Sequence, residues 1–232
     1  MTLIWSDTLK KRVLSGLFLA PLVAAVIIYG SWPFFLMLGF ALCAALYEWF
    51  YLATAKGRHY VLFAGGVLYV VLCFVSFAHI RTGFDSGAFL ALCAILCVWA
   101  SDTGAYFTGK ILQGPKLLPA VSPNKTWAGL AGAMFFCGLT LYILFLAGFR
   151  FLSGFPYIAG DEGLTGLSIF VGGLFLGAIG QAGDLLVSFF KRKAGQKDTG
   201  HLIPGHGGLL DRVDSLLLVS PAFLILLLLW AM

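Results

Sequence analysis

The sequence predicts an all-α, polytopic membrane bundle of about seven spans with its N-terminus in the cytoplasm, and three observations carry that prediction. Of 232 residues, 60% are hydrophobic and 11% charged, against roughly 25% charged in soluble domains, and the mean hydropathy is +0.97. Apolar runs long enough to cross about 30 Å of hydrocarbon occur at 13–30, 32–54, 60–79, 86–108, 127–148, 167–190 and 215–231. The basic residues between these runs fall almost entirely on one side, the side that cytoplasmic loops occupy.

The first run follows Lys10, Lys11 and Arg12 as a signal peptide would, but it is long and has no small-x-small cleavage site before Trp32, so it reads as an uncleaved span. The second ends on Tyr47-Glu48-Trp49 and the fourth on Ser101-Asp102-Thr103-Gly104-Ala105-Tyr106, each with an embedded acid at its inner end. The third and fifth are apolar nearly throughout. On the sixth, Gly172, Gly173, Gly177 and Gly180 allow close helix packing. Alternating the seven spans from an inner N-terminus places Lys10, Lys11, Arg12, Lys56, Arg58, Lys110, Lys116, Lys125, Lys191, Arg192, Lys193, Lys197 and Arg212 inside, and only Arg81 and Arg150 outside. The net charge of +5 thus reports topology and phosphate binding, not nucleic-acid binding. Cys43, Cys73, Cys93, Cys97 and Cys137 all lie in apolar runs, as free thiols behaving as small hydrophobes. No repeat or linker divides the chain, which reads as one membrane domain, 1–100 forming N-terminal helices and 101–232 the catalytic helices with their cytoplasmic loops.

Ionisable groups beside hydrocarbon are costly and mark substrate or ion sites, and their densest cluster is Ser188 to Asp214, between the last two spans. Lys191, Arg192, Lys193, Lys197 and Arg212 suit phosphate oxygens there, Asp198, Asp211 and Asp214 are hard oxygen ligands, and Gly207 and Gly208 permit close backbone approach. Three further patches face the same side. Asp102 and Tyr106 lie one turn apart on one helix face. In Ser122-Pro123-Asn124-Lys125-Thr126-Trp127, Ser122 or Asn124 caps the fifth helix, or the same N-terminus with Lys125 takes up an anion. Gln181, Asp184, Ser188 and Lys191 form a single polar stripe on the sixth span. Opposite it, Asp211 and Asp214 open the last span. Aspartates from two helices suit Mg²⁺, which takes one or two carboxylates and leaves its other positions to water and phosphates.

The run Ser-x-Phe-Lys-Arg-x4-Lys-Asp-x-Gly-x2-Ile-Pro-x-His-Gly-Gly-Leu-x-Asp-Arg-Val-Asp at 188–214 resembles the signature of the phosphatidate cytidylyltransferase (CDP-diacylglycerol synthase) family. The likeness extends to SDTGAYFTGK at 101–110, SPNKTWAG at 122–129 and GQAGDLLVSFFKR at 180–192. It implies Mg²⁺-dependent condensation of CTP with phosphatidic acid, giving CDP-diacylglycerol and pyrophosphate, in a bacterial inner membrane with the active site facing the cytoplasm. It also implies metal ligation by Asp184, Asp211 and Asp102, with a second cation beside Mg²⁺ as an option. Lys191, Arg192, Lys197 and Arg212 become catalytic residues that hold the triphosphate and lipid phosphate, with Asp198 a further catalytic residue. Substrate contacts fall to Ser122, Lys125, Thr126, Ser188, Gly207, Gly208 and Asp214. His206 either neutralises the departing pyrophosphate or only caps its loop. A homodimer is compatible with the resemblance.

The family pattern has Lys-Thr-Trp-Glu-Gly where this chain has Lys125-Thr126-Trp127-Ala128-Gly129, and Glu48 is an acid placed to compensate partially. The chain is also short for the family. Two other functions share some of these features: a CTP-dependent polyisoprenoid lipid kinase, which would attack the γ-phosphorus, and a transporter. The intact 206–214 run favours the transferase over the kinase. The one-sided charges and the absence of repeated halves disfavour transport.

Overall fold

The computed structural model describes residues 7–55, 57, 60–151, 165–200, 202 and 207–230. Among these residues seven helices form the bundle: α1 Asp7–Tyr29, α2 Ser31–Thr54, α3 Tyr60–Thr82, α4 Gly87–Leu112, α5 Trp127–Phe151, α6 Gly166–Ala194 and α7 Leu210–Trp230. Six of them, α2 to α7, are long and apolar enough to cross a membrane, while in α1 the apolar stretch among the described residues is the shorter Gly16–Tyr29. The chain folds as an all-α polytopic membrane bundle.

The helix ends depart from the expected spans for local reasons. α4 runs to Leu112 and stops where Gln113 and Gly114 take φ of 53° and 101°, a left-handed stop followed by Pro115. The segment expected as a loop after it holds a short antiparallel hairpin, β1 Lys116–Leu118 and β2 Ser122–Thr126, with Lys116 opposite Thr126 and Leu118 opposite Ser122. The cap of α5 is neither Ser122 nor Asn124, both of which are held in β2. It is Thr126, whose Oγ1 accepts the Gly129 amide at 3.0 Å. α7 begins at Leu210 instead of 215, because Glu48 of α2 accepts the Leu209 and Leu210 amides, each at 2.8 Å. That cap comes from a residue about 160 positions earlier, which is why local sequence does not announce it.

Glycine sets the helix spacing. A Cβ on Gly173 of α6 would lie 2.6 Å from the Gly138 Cα of α5, and one on Gly177 would lie 2.7 Å from the Met134 Cα. The two backbones therefore touch, as small residues permit in a membrane. Gly109 and Gly129 bring α4 to α5 in the same way, a Gly109 Cβ meeting the Gly129 Cα at 3.5 Å. Gly173→Leu is expected to force α5 from α6 and destabilise the bundle by about 1–3 kcal/mol, read as a lower unfolding temperature in detergent. Unchanged unfolding would show that the helices have room to spare.

Two apolar clusters fill the bundle. One, around Ile27, Phe34, Phe77, Leu90, Leu141, Leu176 and Phe223, draws on all seven helices. The other, around Trp49, Val70, Phe74, Leu210 and Leu217, ties α2 and α3 to the start of α7. All five cysteines are free, and Cys43 alone is exposed.

Candidate active site

Five elements, α4, β1, β2, α5 and α6, converge on a cleft of about 580 Å³, lined by Asp102, Tyr106 and Lys110 of α4, Asn124 and Lys125 of β2, and Gln181 and Asp184 of α6, among others. α4 presents Asp102 and Tyr106 together because they are one turn apart. The hairpin matters because it carries Lys125 across to α6. The lysine Nζ lies 2.7 Å from Asp184 Oδ2 and donates to Gln181 Oε1 at 2.8 Å. Gln181 Nε2 in turn donates to Asp102 Oδ1 at 3.2 Å, and Ser188 Oγ donates to Asp184 Oδ1 at 3.0 Å. Cation, amide and two carboxylates thus form one chain from three elements. Asp214, at the start of α7, stands within electrostatic reach of Asp184, Lys191 and Asp102.

A second network organises the segment between α6 and α7. Lys191 is buried, and its Nζ lies 2.7 Å from Asp211 Oδ1. Asp211 Oδ2 accepts the Thr199 amide at 2.9 Å, the Gly208 amide at 3.1 Å and the Thr199 hydroxyl at 3.1 Å. The same hydroxyl lies 2.7 Å from Glu48 Oε2. Since a hydroxyl has one proton, it donates to one carboxylate at a time. Gly208 has to be glycine here, because a Cβ would run into Glu48 and Thr199.

The candidate residues therefore divide. Asp102, Lys125 and Asp184 meet in the first cleft, and Thr126 lines it while its hydroxyl caps α5. Ser188 touches Asp184, whereas Ser122 lies at the far end of β2, outside the lining of that cleft. Lys191 and Asp211 are engaged with each other, and Asp211 also with Thr199 and Gly208. Arg192, exposed, donates to the carbonyls of Val121 and Gln196, each at 3.3 Å, tying the hairpin turn to the end of α6. Lys197 and Asp198 line a different cleft against α2. Arg212 is exposed on α7, and Gly207 takes a φ of 84° beside Asp211. His206 lies outside the described residues.

Glu48 does not stand in for the acid missing at Ala128. Its oxygens are taken up by Thr199, Leu209 and Leu210, and Ala128 sits in the first turn of α5. The sequence offered no signal for the part Thr199 plays, and for Glu48 only its burial among apolar neighbours.

Comparison with known proteins gives this geometry a context. The sequence profile of the cytidylyltransferase family matches residues 53–230. The chain belongs to the cytidylyltransferase family. It is similar to the phosphatidate cytidylyltransferase of Rickettsia typhi, 31% identical over 212 residues that make up 91% of this chain and 89% of that one. Proteins of the same name from Bacillus subtilis and Haemophilus influenzae are 37% identical over 164 residues and 42% over 137 residues. Those alignments cover 71% and 59% of this chain and 56% and 45% of the respective relatives. In this cytidylyltransferase the matched region begins at the end of α2 and takes in the hairpin, the whole of α6 and both carboxylate networks except Glu48. The enzyme class, nucleotidyltransferase, follows from family membership.

The carboxylates are oxygen donors of the kind a hard cation takes. They reach the polar layer from α4, α6 and α7 through Asp102, Asp184 and Asp214, and the buried Tyr69 hydroxyl near Asp214 has no hydrogen-bond partner among the described residues. Among the described residues, no three carboxylate, histidine or cysteine side chains are grouped closely enough to cage an ion. Mg²⁺ does not require such a cage, since it keeps waters and substrate phosphates as ligands.

Proposed function

We infer that the protein is a phosphatidate cytidylyltransferase: it transfers the cytidylyl group of CTP to phosphatidic acid, releases pyrophosphate, and works at the cytoplasmic face of a bacterial inner membrane. The observation that carries this is the Lys125–Gln181–Asp102–Asp184 chain, a charged cleft at the inner ends of membrane helices, in a chain whose relatives bear that name.

The chemistry asks little covalent help. A phosphate monoester with a second pKa near 6 is mostly dianionic at pH 7, so its oxygen attacks the α-phosphorus without a general base. One P–O bond forms to the lipid phosphate and the bond from the α-phosphorus to the bridging oxygen breaks, the electron pair leaving with pyrophosphate. The obstacle is the meeting of two anions, which fixed positive charge and alignment overcome. Lys125 supplies an oriented cation in the cleft, with Lys110 on its rim. Lys197, Arg192 and Arg212 add positive charge around the segment between α6 and α7. Mg²⁺ held by Asp184 with Asp102 and Asp214 would neutralise phosphate charge there. Asp211 is a further candidate ligand for Mg²⁺, and its two oxygens also hold Lys191, Thr199 and Gly208 in place.

The test uses purified protein in detergent with phosphatidic acid, Mg²⁺ and CTP labelled at either the α- or the γ-phosphate. The expected result is α-label in the lipid and γ-label in pyrophosphate. Entry of γ-label into an added polyisoprenol would establish a kinase instead. Chelation of divalent cations is expected to abolish transfer and Mg²⁺ to restore it. Full activity in excess chelator would remove the metal from the account.

A further inference from the structure

We propose that the cleft between α2 and the 196–202 segment seats the phosphatidate acceptor, with the phosphate at the Lys197 end and an acyl chain running along α2 into the apolar groove between α1, α2, α3 and α7. This assignment rests on the function proposed above and adds where the lipid sits.

The cleft, about 970 Å³, changes character along its length. At the inner end of α2, Tyr47 and Tyr51 stand one turn apart with their hydroxyls 3.2 Å from each other, facing Gln196, Lys197 and Asp198 across the opening. Deeper along α2 the lining becomes Cys43, Ala44 and Phe40, with Leu202 opposite. From Tyr51 to Phe40 is eleven residues of helix, about 16 Å at 1.5 Å per residue. Phe40 and Leu202 then line a second cavity of about 450 Å³ as well, whose walls include Val23, Ile27, Met37, Phe77 and Leu217 and whose only polar residue is Ser220. Phe40 and Leu202 line both spaces, so the two lie side by side along α2.

Such a path matches a lipid with a small anionic head. A nucleotide has no use for the apolar half, and a hydrocarbon has none for the polar half. Phenol groups suit the level where head groups meet hydrocarbon. Glu48 lines the wall but offers no open carboxylate, since its oxygens accept from Thr199, Leu209 and Leu210. Lys197 is the basic residue at the mouth, and Asp198 beside it is the one carboxylate there whose oxygens no described hydrogen bond occupies.

Cys43 provides a probe within the cleft, exposed while the other four thiols are buried. In the full chain in detergent, phosphatidic acid is expected to slow maleimide alkylation of Cys43 severalfold, whereas equal amounts of phosphatidylcholine or phosphatidylglycerol leave it unchanged. Equal protection by all three lipids, or by none, would overturn the proposal. Cys43→Trp, which fills the cleft from an exposed position, is expected to raise the KM for phosphatidic acid about tenfold, a loss of roughly 1.4 kcal/mol, with the KM for CTP unchanged. Cys43→Ser is the control for handling and folding. Protection needs no turnover, so the two proposals fail separately. Lipid protection without transfer would overturn the activity and keep the cleft, and transfer without protection would do the reverse.

Discussion

Asp184→Asn is expected to lower cytidylyl transfer by a factor on the order of 10²–10³ while the protein stays folded. The substitution preserves shape and leaves an oxygen to accept from Ser188, but removes the charge that faces Lys125 at 2.7 Å. Lys125 keeps Gln181 Oε1 as acceptor, so the cleft does not collapse. What is lost is the fixed alternation of charge that positions a triphosphate. Initial rates with α-labelled CTP, set beside thermal unfolding in detergent, give the answer. Activity within a few-fold of the parent would remove Asp184 from the machinery. A double-mutant cycle with Lys125→Ala is expected to be strongly non-additive, because the two side chains act through one contact.

Glu48→Ala is expected to destabilise the segment between α6 and α7 and silence the enzyme, although Glu48 is outside the first cleft. Three donors depend on it: the Thr199 hydroxyl and the amides of Leu209 and Leu210. A buried donor left without a partner costs about 1–3 kcal/mol. The Thr199 hydroxyl can still turn to Asp211 Oδ2; the two amides have no such alternative among the described residues. The readouts are a lower unfolding temperature and faster proteolysis after Lys191, Arg192, Lys193 or Lys197. Glu48→Gln is expected to fall between the two, since its amide oxygen can still accept one backbone N–H while its NH₂ group faces another. Parent-like unfolding and proteolysis of Glu48→Ala would show that the α7 cap is not what holds the loop.

The fold was legible because hydrocarbon imposes a simple rule: backbone groups must pair within the span, so long apolar runs become helices. Much of the candidate site was legible too, since charges at membrane boundaries are rare enough to stand out. Asp102 with Tyr106, and Gln181 with Asp184, share helix faces by spacing alone. The pairing of Lys125 with Asp184 and Gln181 did not follow from spacing, because it depends on a hairpin whose strands are three and five residues long. Nor did the pairing of Lys191 with Asp211, two residues that looked like separate ligands for phosphate and metal.

The sequence by itself determined the bundle, its span count to within one, the family and the residues rich in chemistry, because these depend on composition and on periodicity along one helix. Only the tertiary structure decided which charges neutralise each other and which face open space. It also decided that an acid on α2 caps α7, and that the cleft beside it adjoins an apolar cavity. These are contacts between residues as many as 162 positions apart. Electrostatic and hydrogen-bond energies depend on distances of a few ångströms, which spacing along the chain fixes within a helix but not between helices.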